Sequence, residues 1–412
     1  MVAVFLALVV WPSAQHPSHG FAAYYTASRL ALTEGLDARV YDDVWFRAQT
    51  EAASGGAASD IFNANPPTMA LLALPVAGLP LGAARWIWTG INAALLFGAL
   101  YLLGRALHLG RSAALLGLAL ALFGAPTLAQ FRFGQAYVVV LCLYIFVWLG
   151  LRSRRDWLAG IGLALAMALK LAGAPLWLFA LVLGRRRALA WAGGIVFAVV
   201  VISLPVVSAD TWRAFFLTAL PAATRSSALT STAYQSLPGF WAHLLRADLT
   251  FNPAPLVDWP PGAALFTALD VTLMIGVSLY FARKLPLDEA FAVVAVASVI
   301  TAPFVEQHQY VVLMLPVFIA LAQSSYVIPG EHSSRRIPLT SNGMEIPRRF
   351  APRSEVVLTV FLVLALAFIA LPLPFQSSQL AAGWLALLAY PRLYGALLLW
   401  AVLIAQESYH AP

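Results

Sequence analysis

Apolar runs as long as a membrane-crossing helix recur along this chain, and they constrain its fold more than any other feature. A helix needs about 20 mostly apolar residues to cross a bilayer. The runs at 83–104, 112–130 and 262–282 have that length. Only 10% of the residues are charged, against about 25% in soluble domains. The sequence therefore predicts an all-α polytopic membrane protein, because backbone groups in lipid must be satisfied within each helix.

We expect a bundle of about 10–12 transmembrane helices that includes re-entrant half-helices. Residues 67–82 are interrupted by two prolines, and residues 157–183 begin and end at arginine clusters. The second stretch must enter the membrane and return, with Lys170 and Pro175 marking the expected reversal. The simple spans are predicted at 1–12, 83–104, 112–130, 136–151, 188–207, 262–282, 288–304, 309–323, 355–373 and 381–404.

Charge predicts the orientation. Arginine and lysine clusters between the apolar runs favour the cytoplasmic side, so the net charge of +7 indicates topology and not a nucleic-acid partner. The first loop, 13–66, has three arginines against six acidic residues and belongs outside. The predicted cytoplasmic clusters are Arg105/Arg111, Arg152/Arg154/Arg155, Arg185/Arg186/Arg187 and Arg283/Lys284.

These anchors divide the chain into three parts. Residues 1–323 form a transmembrane catalytic module with outer loops at 13–66 and 208–261, residues 324–354 form a basic cytoplasmic linker, and residues 355–412 form C-terminal transmembrane helices. Residues 1–11 lack the basic start of a signal peptide. We expect them to form a first transmembrane helix whose true start lies upstream.

An aromatic face is predicted near the start of the first loop. Phe21, Tyr24, Tyr25 and Leu32 fall at helical spacing, which indicates a helix lying on the outer membrane surface. A plain aromatic belt is the alternative interpretation. The segment 210–225 has the same interfacial composition.

Titratable side chains fall in the predicted outer loops. Asp42 and Asp60 are candidates to accept a proton from an acceptor hydroxyl, although each is also typical of a solvated loop acid or a helix cap. We expect Asp43 to cap the helix that follows it. Glu306 and His308 follow a proline break at a helix mouth, where a titratable pair favours a functional role. A solvated helix end is the alternative.

Cationic and amide side chains converge on the same side. Arg132 and Gln135 lie at a predicted outer turn, and an arginine fork suits phosphate. Lys170 and Asp270 lie in apolar surroundings, where each needs a cavity or a partner, and mutual pairing is one solution. No Gly-rich phosphate loop, metal-ligand spacing or nucleophile elbow is present. A donor already in the membrane, such as a lipid-linked sugar, fits these features better than a cytosolic nucleotide.

An ordered set of short motifs runs from about residue 20 to 323. Its members are Phe21, the stretch 24–27, Tyr41-Asp42, Asn65-Pro66-Pro67, Pro75, Pro80, Ala84-Arg85, Trp88, Gly134-Gln135, Lys170, the stretch 308–310, Leu313 and Pro316. In order and spacing this set resembles the polyprenol-dependent GT-C glycosyltransferases of family 87, which include mycobacterial mannosyltransferases.

The resemblance implies a GT-C-like bundle that moves a mannose-like hexose or a pentose from a polyprenyl-phosphate donor to a lipid or glycan acceptor. The implied location is the outer face of a bacterial inner membrane. Tyr24, Tyr25, Asn65, Arg132, Gln135 and Lys170 are the expected substrate-binding residues, and His308, Glu306, Asp42 and Asp60 are the expected catalytic candidates. No cofactor is required; a divalent ion is compatible, but nothing indicates one.

The chain departs from the family pattern at one position. Where that pattern has an aspartate before Phe21, the presumed base, this sequence has Gly20. This departure has three possible explanations. Another group (His19, Asp42, Asp60 or Glu306) supplies the base, the acceptor is different, or the protein is an inactive assembly subunit. A lipid or solute transporter lined by Lys170 and Asp270 is the rival from another class.

Overall fold

Helices make up the regular structure of this chain, as the sequence predicts. The computed structural model describes residues 1–16, 18–62, 65–324, 353–377 and 379–405. Within these ranges there is no strand, and only two isolated bridges occur, Leu36 with Val207 and Asp248 with Asn252. The predicted linker at 324–354 lies almost entirely outside the described residues.

Four helices in the described ranges are long and apolar enough to cross a bilayer, and a fifth results if one pair bent by 54° is counted as a single span. These spans are Leu81–Leu107, Arg111–Phe133, Arg186–Ser203 and Pro260–Ala282, with Gly383–Ala389 and Pro391–Ala405 as the bent pair. The total of 10–12 crossings stays a prediction. The shorter apolar helices are Val2–Gln15, Tyr137–Arg152, Asp156–Lys170, Ala174–Val182, Leu287–Ile300, Met314–Ser324 and Val356–Ala370.

Residues 156–182 form a helical hairpin where the sequence predicts one, and its re-entry into a membrane stays a prediction. Helix Asp156–Lys170 has 15 residues, about 22 Å at 1.5 Å per residue, which is too short for a roughly 30 Å hydrocarbon layer. The chain reverses through Leu171 and Gly173, and helix Ala174–Val182 returns with Pro175 in its first turn. Arg185 Nη1 lies 3.9 Å from Asp156 Oδ1, so the hairpin starts and ends at the same level. Lys170 is therefore held at a tip inside the bundle.

The basic clusters gather at one end of the bundle. Arg152 donates to the carbonyl of Ala106 at 3.0 Å and lies 3.7 Å from the carboxylate of Asp288. These contacts bring three helix ends together. At the opposite end the two predicted outer loops are tied to each other at the Leu36–Val207 bridge, because the Leu36 N–H donates to the Val206 carbonyl at 2.8 Å and the Ser208 N–H donates to the Leu36 carbonyl at 3.0 Å.

Helix Leu287–Ile300 forms the centre of the bundle. Every residue from Ala290 to Ile300 is buried, and small alanine and valine side chains let neighbouring helices approach closely. The C-terminal helices Arg353–Ala370 and Pro391–Ala405 pack on each other, and the second also packs on this central helix. A turn at 301–308 leaves the central helix and carries Glu306 to the end with the tied loops.

The aromatic helix Phe21–Thr33 lies inside the protein and not on a membrane surface as predicted. Phe21, Tyr24 and Tyr25 are buried, and Phe21 stacks on Trp88 with ring centroids 5.7 Å apart. Of the predicted face only Leu32 is exposed. The tyrosine hydroxyls have partners within the fold, which removes the reason for an aromatic side chain to seek the membrane–water boundary.

The arrangement of the ends predicts opposite labelling of two single-cysteine variants made in a Cys142→Ser background. Glu51 and Ser153 are both exposed and lie on helices that end at opposite faces. A membrane-impermeant maleimide should label Glu51→Cys in intact cells and Ser153→Cys only in permeabilised cells. Labelling of both from the same side would overturn the predicted topology.

Candidate active site

Lys170 is the centre of the candidate site. Its ammonium donates to the Tyr24 hydroxyl at 2.6 Å and to the Asn65 side-chain oxygen at 2.8 Å. It also lies 4.7 Å from the centre of the Tyr24 ring and 5.3 Å from that of Tyr137. Among the described residues no carboxylate is within ion-pair distance of it. All its direct hydrogen-bond partners are neutral, and the carboxyls of Glu306 and Asp60 act on it only from a longer distance.

Gln135 extends the site toward the outer turn. The Tyr24 hydroxyl donates to the side-chain oxygen of Gln135, and the side-chain amide of Gln130 donates to its backbone carbonyl. Tyr24 thus links the tip of the hairpin to the turn after helix Ala125–Phe133. The fold brings together Lys170, Tyr24, Asn65 and Gln135 from four separate segments, and their role in substrate binding stays a prediction.

A buried arginine fixes that turn. The Arg85 guanidinium donates to the carbonyls of Phe131 at 2.7 Å and Arg132 at 3.2 Å, and the Trp88 indole donates to Gly134 at 2.8 Å. Gly134 has a φ of 61°, and a Cβ there would lie 1.6 Å from Arg85 Nη1. Only glycine fits. This contact explains why Arg85 and Gly134 occur together in the motif set.

Asp60 occupies the space beside Gly20. One carboxylate oxygen accepts the backbone N–H of Gly20, and the other accepts that of Ile61 at 2.9 Å. Gly20 has a φ of 86°, and a Cβ there would lie 2.5 Å from the Gln135 amide nitrogen and 2.8 Å from the Phe133 carbonyl. Asp60, from the far end of the first loop, therefore places a carboxylate beside the backbone of Gly20, the position at which the family pattern has an aspartate.

Glu306 and His308 lie together at the outer turn 301–308. The Glu306 carboxylate is 3.6 Å from Nδ1 of His308, and the Glu306 side chain is 44% exposed. His308 is buried, with its ring centre 5.3 Å from that of Tyr137. Burial, together with the charge of Lys170, lowers the pKa of His308 to about 3. The imidazole is therefore neutral near pH 7 and is suited to donate a hydrogen bond.

The two acidic side chains share the electrostatic field of Lys170. Burial raises the pKa of Asp60 above its usual value. The hydrogen bonds from Gly20 and Ile61 lower this pKa, but the effect of burial is larger. Burial also raises the pKa of Glu306, the charge of Asp60 raises it further, and Lys170 lowers it. Each carboxyl is shifted toward the neutral pH range, where a proton acceptor works best.

Two other predicted site residues, Asp42 and Tyr25, have different surroundings. Asp42 is exposed and caps helix Asp43–Ser54, accepting from the N–H groups of Val44 and Trp45 at 3.0 and 3.1 Å, so Asp42 and not Asp43 is the cap. The Tyr25 hydroxyl donates to the Leu79 carbonyl at 2.7 Å, away from Lys170.

Arg132 lies apart from the Lys170 cluster. Its exposed side chain borders a neighbouring cavity of about 420 Å³. The cavity is lined by Pro12, Ser13, His16, Ser18, His19, Arg132 and Phe133. Phe133 separates it from His308, with ring centres 6.3 Å apart. Arg132 thus approaches the site from the side, and the proposed phosphate contact of Arg132 stays a prediction.

Asp270 does not pair with Lys170. Its carboxylate accepts from the Trp241 indole at 2.7 Å, on a different side of the bundle. In the described part of the chain no three His, Cys, Asp or Glu side chains group as a metal site. The candidate site therefore combines a buried ammonium that has hydrogen-bonding neighbours with two carboxyls, Asp60 and Glu306, that act on it electrostatically.

Sequence reasoning missed Tyr137, Gln307 and Arg392. Tyr137 begins an apolar run and carries no polar signal beyond its place two residues after Gln135. Arg392 lies at the start of a late helix, far from every motif in the sequence. Its contact with Gln307 at 3.1 Å joins chain positions that only the fold brings together.

The comparisons agree with the motif set. The sequence model of "Glycosyltransferase family 87" matches residues 63–316, more than half of the chain. Gly20 and Asp60 precede that stretch, and Arg392 follows it. No solved structure matches the chain significantly.

Two curated relatives have the same name, polyprenol-phosphate-mannose-dependent alpha-(1-2)-phosphatidylinositol pentamannoside mannosyltransferase. The protein from Mycolicibacterium smegmatis is 33% identical over 195 residues, covering 47% of this chain and 46% of the relative. The protein from Mycobacterium tuberculosis is 29% identical over 195 residues, covering 46% and 44%. The matched segment thus spans about half the length of the curated relatives.

The close approach at Gly20 predicts a larger loss of stability from Gly20→Ala than from Gly35→Ala. Both glycines have positive φ, 86° and 80°, but nothing lies within 4 Å of a Cβ at Gly35. Gly35→Ala should cost about 1–2 kcal/mol from backbone strain, and Gly20→Ala about 1–3 kcal/mol more from overpacking. Thermal unfolding in detergent measures the difference. Equal losses would contradict the contact of Gly20 with Gln135.

Proposed function

This chain belongs to glycosyltransferase family 87, and from that membership and the site we propose that it transfers a sugar from a polyprenyl-phosphate donor to a lipid or glycan acceptor at the extracytoplasmic face of a bacterial inner membrane. The observation that carries the proposal is the buried ammonium of Lys170, which has only neutral direct partners and lies near two carboxyls. A lipid monophosphate supplies the missing negative charge.

The relatives suggest the donor. Both are named for dependence on polyprenol-phosphate-mannose, and we propose mannose or a similar sugar on the same kind of carrier here. A carrier lipid reaches the site along the membrane, which matches a cationic residue placed at the tip of a re-entrant hairpin. Such a donor requires no nucleotide-binding loop.

Lys170 holds the donor phosphate in this proposal. Its charge, together with neutral donors from Asn65, Gln135 and His308, stabilises the negative charge that develops as the phosphate departs. Donors fixed by the fold before the reaction act strongly on such charge, because they need no reorganisation. The Tyr24 hydroxyl accepts from the Lys170 ammonium and donates to the Gln135 side chain, and it thereby holds the two groups next to each other.

Asp60 takes the proton from the acceptor. The acceptor hydroxyl oxygen forms the new bond to the anomeric carbon while its proton passes to the Asp60 carboxylate. The bond from that carbon to the phosphate oxygen breaks, and its electron pair leaves with the polyprenyl phosphate. A single displacement of this kind inverts the anomeric configuration.

The other predicted bases suit this step less well. The carboxyls that act on Lys170 are those of Glu306 and Asp60, whereas Asp42 is exposed at a helix start. His308, with a pKa of about 3, is too weakly basic to take the proton effectively. Glu306 is the second candidate, because its carboxyl is free of strong hydrogen bonds and lies beside His308. We assign Glu306 to hydrogen bonding with the sugar or the phosphate, since it lies 3.6 Å from Nδ1 of His308 at the outer turn.

Two rival functions, a transporter and a non-catalytic assembly subunit, have less support than the transferase. A transporter path lined by Lys170 and Asp270 lacks support, because Asp270 pairs with Trp241 and Lys170 with Tyr24 and Asn65. A non-catalytic assembly subunit is favoured only by Gly20. Membranes supplied with radiolabelled polyprenyl-phosphate sugars, one at a time, decide the matter: a glycosylated product supports the enzyme, and none with any donor supports the subunit.

Removal of the proposed base should nearly abolish transfer. Asp60→Asn should lower kcat by roughly 100-fold or more, the usual contribution of a general base. Asp42→Asn is the matched control, since it changes an equivalent side chain of the same loop at a cap. Initial rates with labelled donor measure both. Comparable rates for Asp60→Asn and the unmodified protein would eliminate Asp60 as the base.

The same site predicts a pH dependence. Transfer needs the ionised form of Asp60, so the rate should fall as pH drops through a pKa raised above that of an ordinary aspartate. The pH profile of kcat/KM should therefore show an acidic limb at higher pH than a solvent-exposed carboxyl gives. An acidic limb unchanged in the residual activity of Asp60→Asn would assign the titration to another group.

Lys170 and His308 should affect the donor. Lys170→Met removes the charge that balances the phosphate and should raise the donor KM or abolish turnover, and His308→Ala should abolish turnover while the protein stays folded in detergent. Arg213→Met provides the control of an outer-loop cation outside the Lys170 cluster. Undiminished activity in His308→Ala would remove His308 from the site. An unchanged donor KM in Lys170→Met would remove Lys170 from it.

A further inference from the structure

Arg392 is a fully buried cation in the C-terminal part of the chain. Its guanidinium donates to the Phe368 carbonyl at 2.5 Å and to the Gln307 side-chain oxygen at 3.1 Å, and its backbone N–H donates to the Gln235 side chain at 3.2 Å. Among the described residues no carboxylate is within ion-pair distance. A buried charge held only by neutral oxygens is costly, so packing alone is a weak reason for an arginine here.

Gln307 transmits this contact to the site. Its side-chain oxygen accepts from Arg392, and its side-chain nitrogen donates to the carbonyl of Ala125 at 3.0 Å. Both ends of the amide are therefore fixed, one by the C-terminal helix and the other by the helix that leads to Gly134. Gln307 is the residue between Glu306 and His308, so its orientation determines where those two side chains lie.

The rest of the turn is anchored by the same group of residues. The Gln235 N–H donates to the Val305 carbonyl at 2.7 Å, and the Tyr310 hydroxyl donates to the Gln235 carbonyl at 2.5 Å. The Ser236 hydroxyl donates to Pro303 at 3.0 Å. Arg392 also donates its backbone N–H to the side chain of Gln235. It therefore contacts both residues that hold the turn, Gln235 and Gln307.

We propose that Arg392 is a positioning residue for the Glu306–His308 pair and that the C-terminal helices thereby form part of the catalytic unit. The proposal rests on the proposed function of that pair. Arg392 touches neither donor nor acceptor; it acts through Gln307. Its loss should therefore displace the groups that act on the reacting atoms while the phosphate contacts of Lys170 persist.

Activity measurements on Arg392→Lys test the proposal. The lysine keeps the charge but replaces the planar fork, which reaches Phe368 and Gln307 from two separate nitrogens, with a single ammonium. We expect kcat to fall by about tenfold or more, as misplaced catalytic groups do, with a smaller rise of the donor KM than in Lys170→Met, because the Lys170 contacts persist. Gln307→Ala, which leaves Arg392 intact, should reproduce the effect and serves if Arg392→Lys fails to fold.

Tyr394→Phe is the matched control. Tyr394 lies on the same helix as Arg392, and the change removes the hydrogen bond from its hydroxyl to the Leu387 carbonyl of the preceding short helix, not a bond to the turn at 301–308. Its kcat should be unchanged. Adding Arg392→Lys to Glu306→Gln should give little further loss, because the pair is already impaired. An equal fall in Tyr394→Phe, or full additivity in the double variant, would overturn the proposal.

A second readout does not need activity. In a Cys142→Ser background, the maleimide reaction rate of Glu306→Cys reports the exposure of that position. Arg392→Lys should change the rate severalfold, and Tyr394→Phe should not. A changed rate in a protein without transferase activity would refute the proposed function but keep the positioning role, whereas an unchanged rate would refute the positioning role itself.

Discussion

The buried ammonium of Lys170 is the interaction on which the arrangement of the site depends. A cation inside an apolar bundle needs partners, and the nearest are the Tyr24 hydroxyl and the Asn65 amide oxygen. Those partners come from the first outer loop, so the loop must fold inward to reach the tip of the hairpin. This requirement explains why the aromatic helix Phe21–Thr33 is buried and not laid on the membrane surface.

Close contacts between backbone and side chain then fix the surroundings of Lys170. Gly134 leaves room for the Arg85 guanidinium, which binds the last carbonyls of helix Ala125–Phe133. Gly20 leaves room for Gln135 and presents its N–H to Asp60. A side chain at residue 20 would collide with the turn in this packing. Asp60 places a carboxylate beside Gly20, and we propose that this carboxylate replaces the aspartate of the family pattern.

The sequence allowed prediction of the features that depend on local pattern. Apolar length located the helices, charge at both ends of 157–183 required a hairpin, and the resemblance brought Tyr24, Asn65, Gln135 and Lys170 into one group. Prediction from the sequence failed where tertiary contacts decide which of two similar local patterns forms a given structure. Asp42 and Asp43 both precede a helix, and only the backbone conformation makes Asp42 the cap.

Contacts between residues far apart in the chain could not be predicted from the sequence for the same reason. Arg392 has no neighbour in the sequence that hints at Gln307, and its role arises because the last helix packs on the central helix Leu287–Ile300. A charge placed outside the matched family stretch thus supports a turn inside it. In such a bundle each polar side chain must find a partner in the protein, since lipid offers none. The polar contacts therefore join the helices into one network, and the proposed chemistry at Asp60 and Glu306 depends on helices far from it in the sequence.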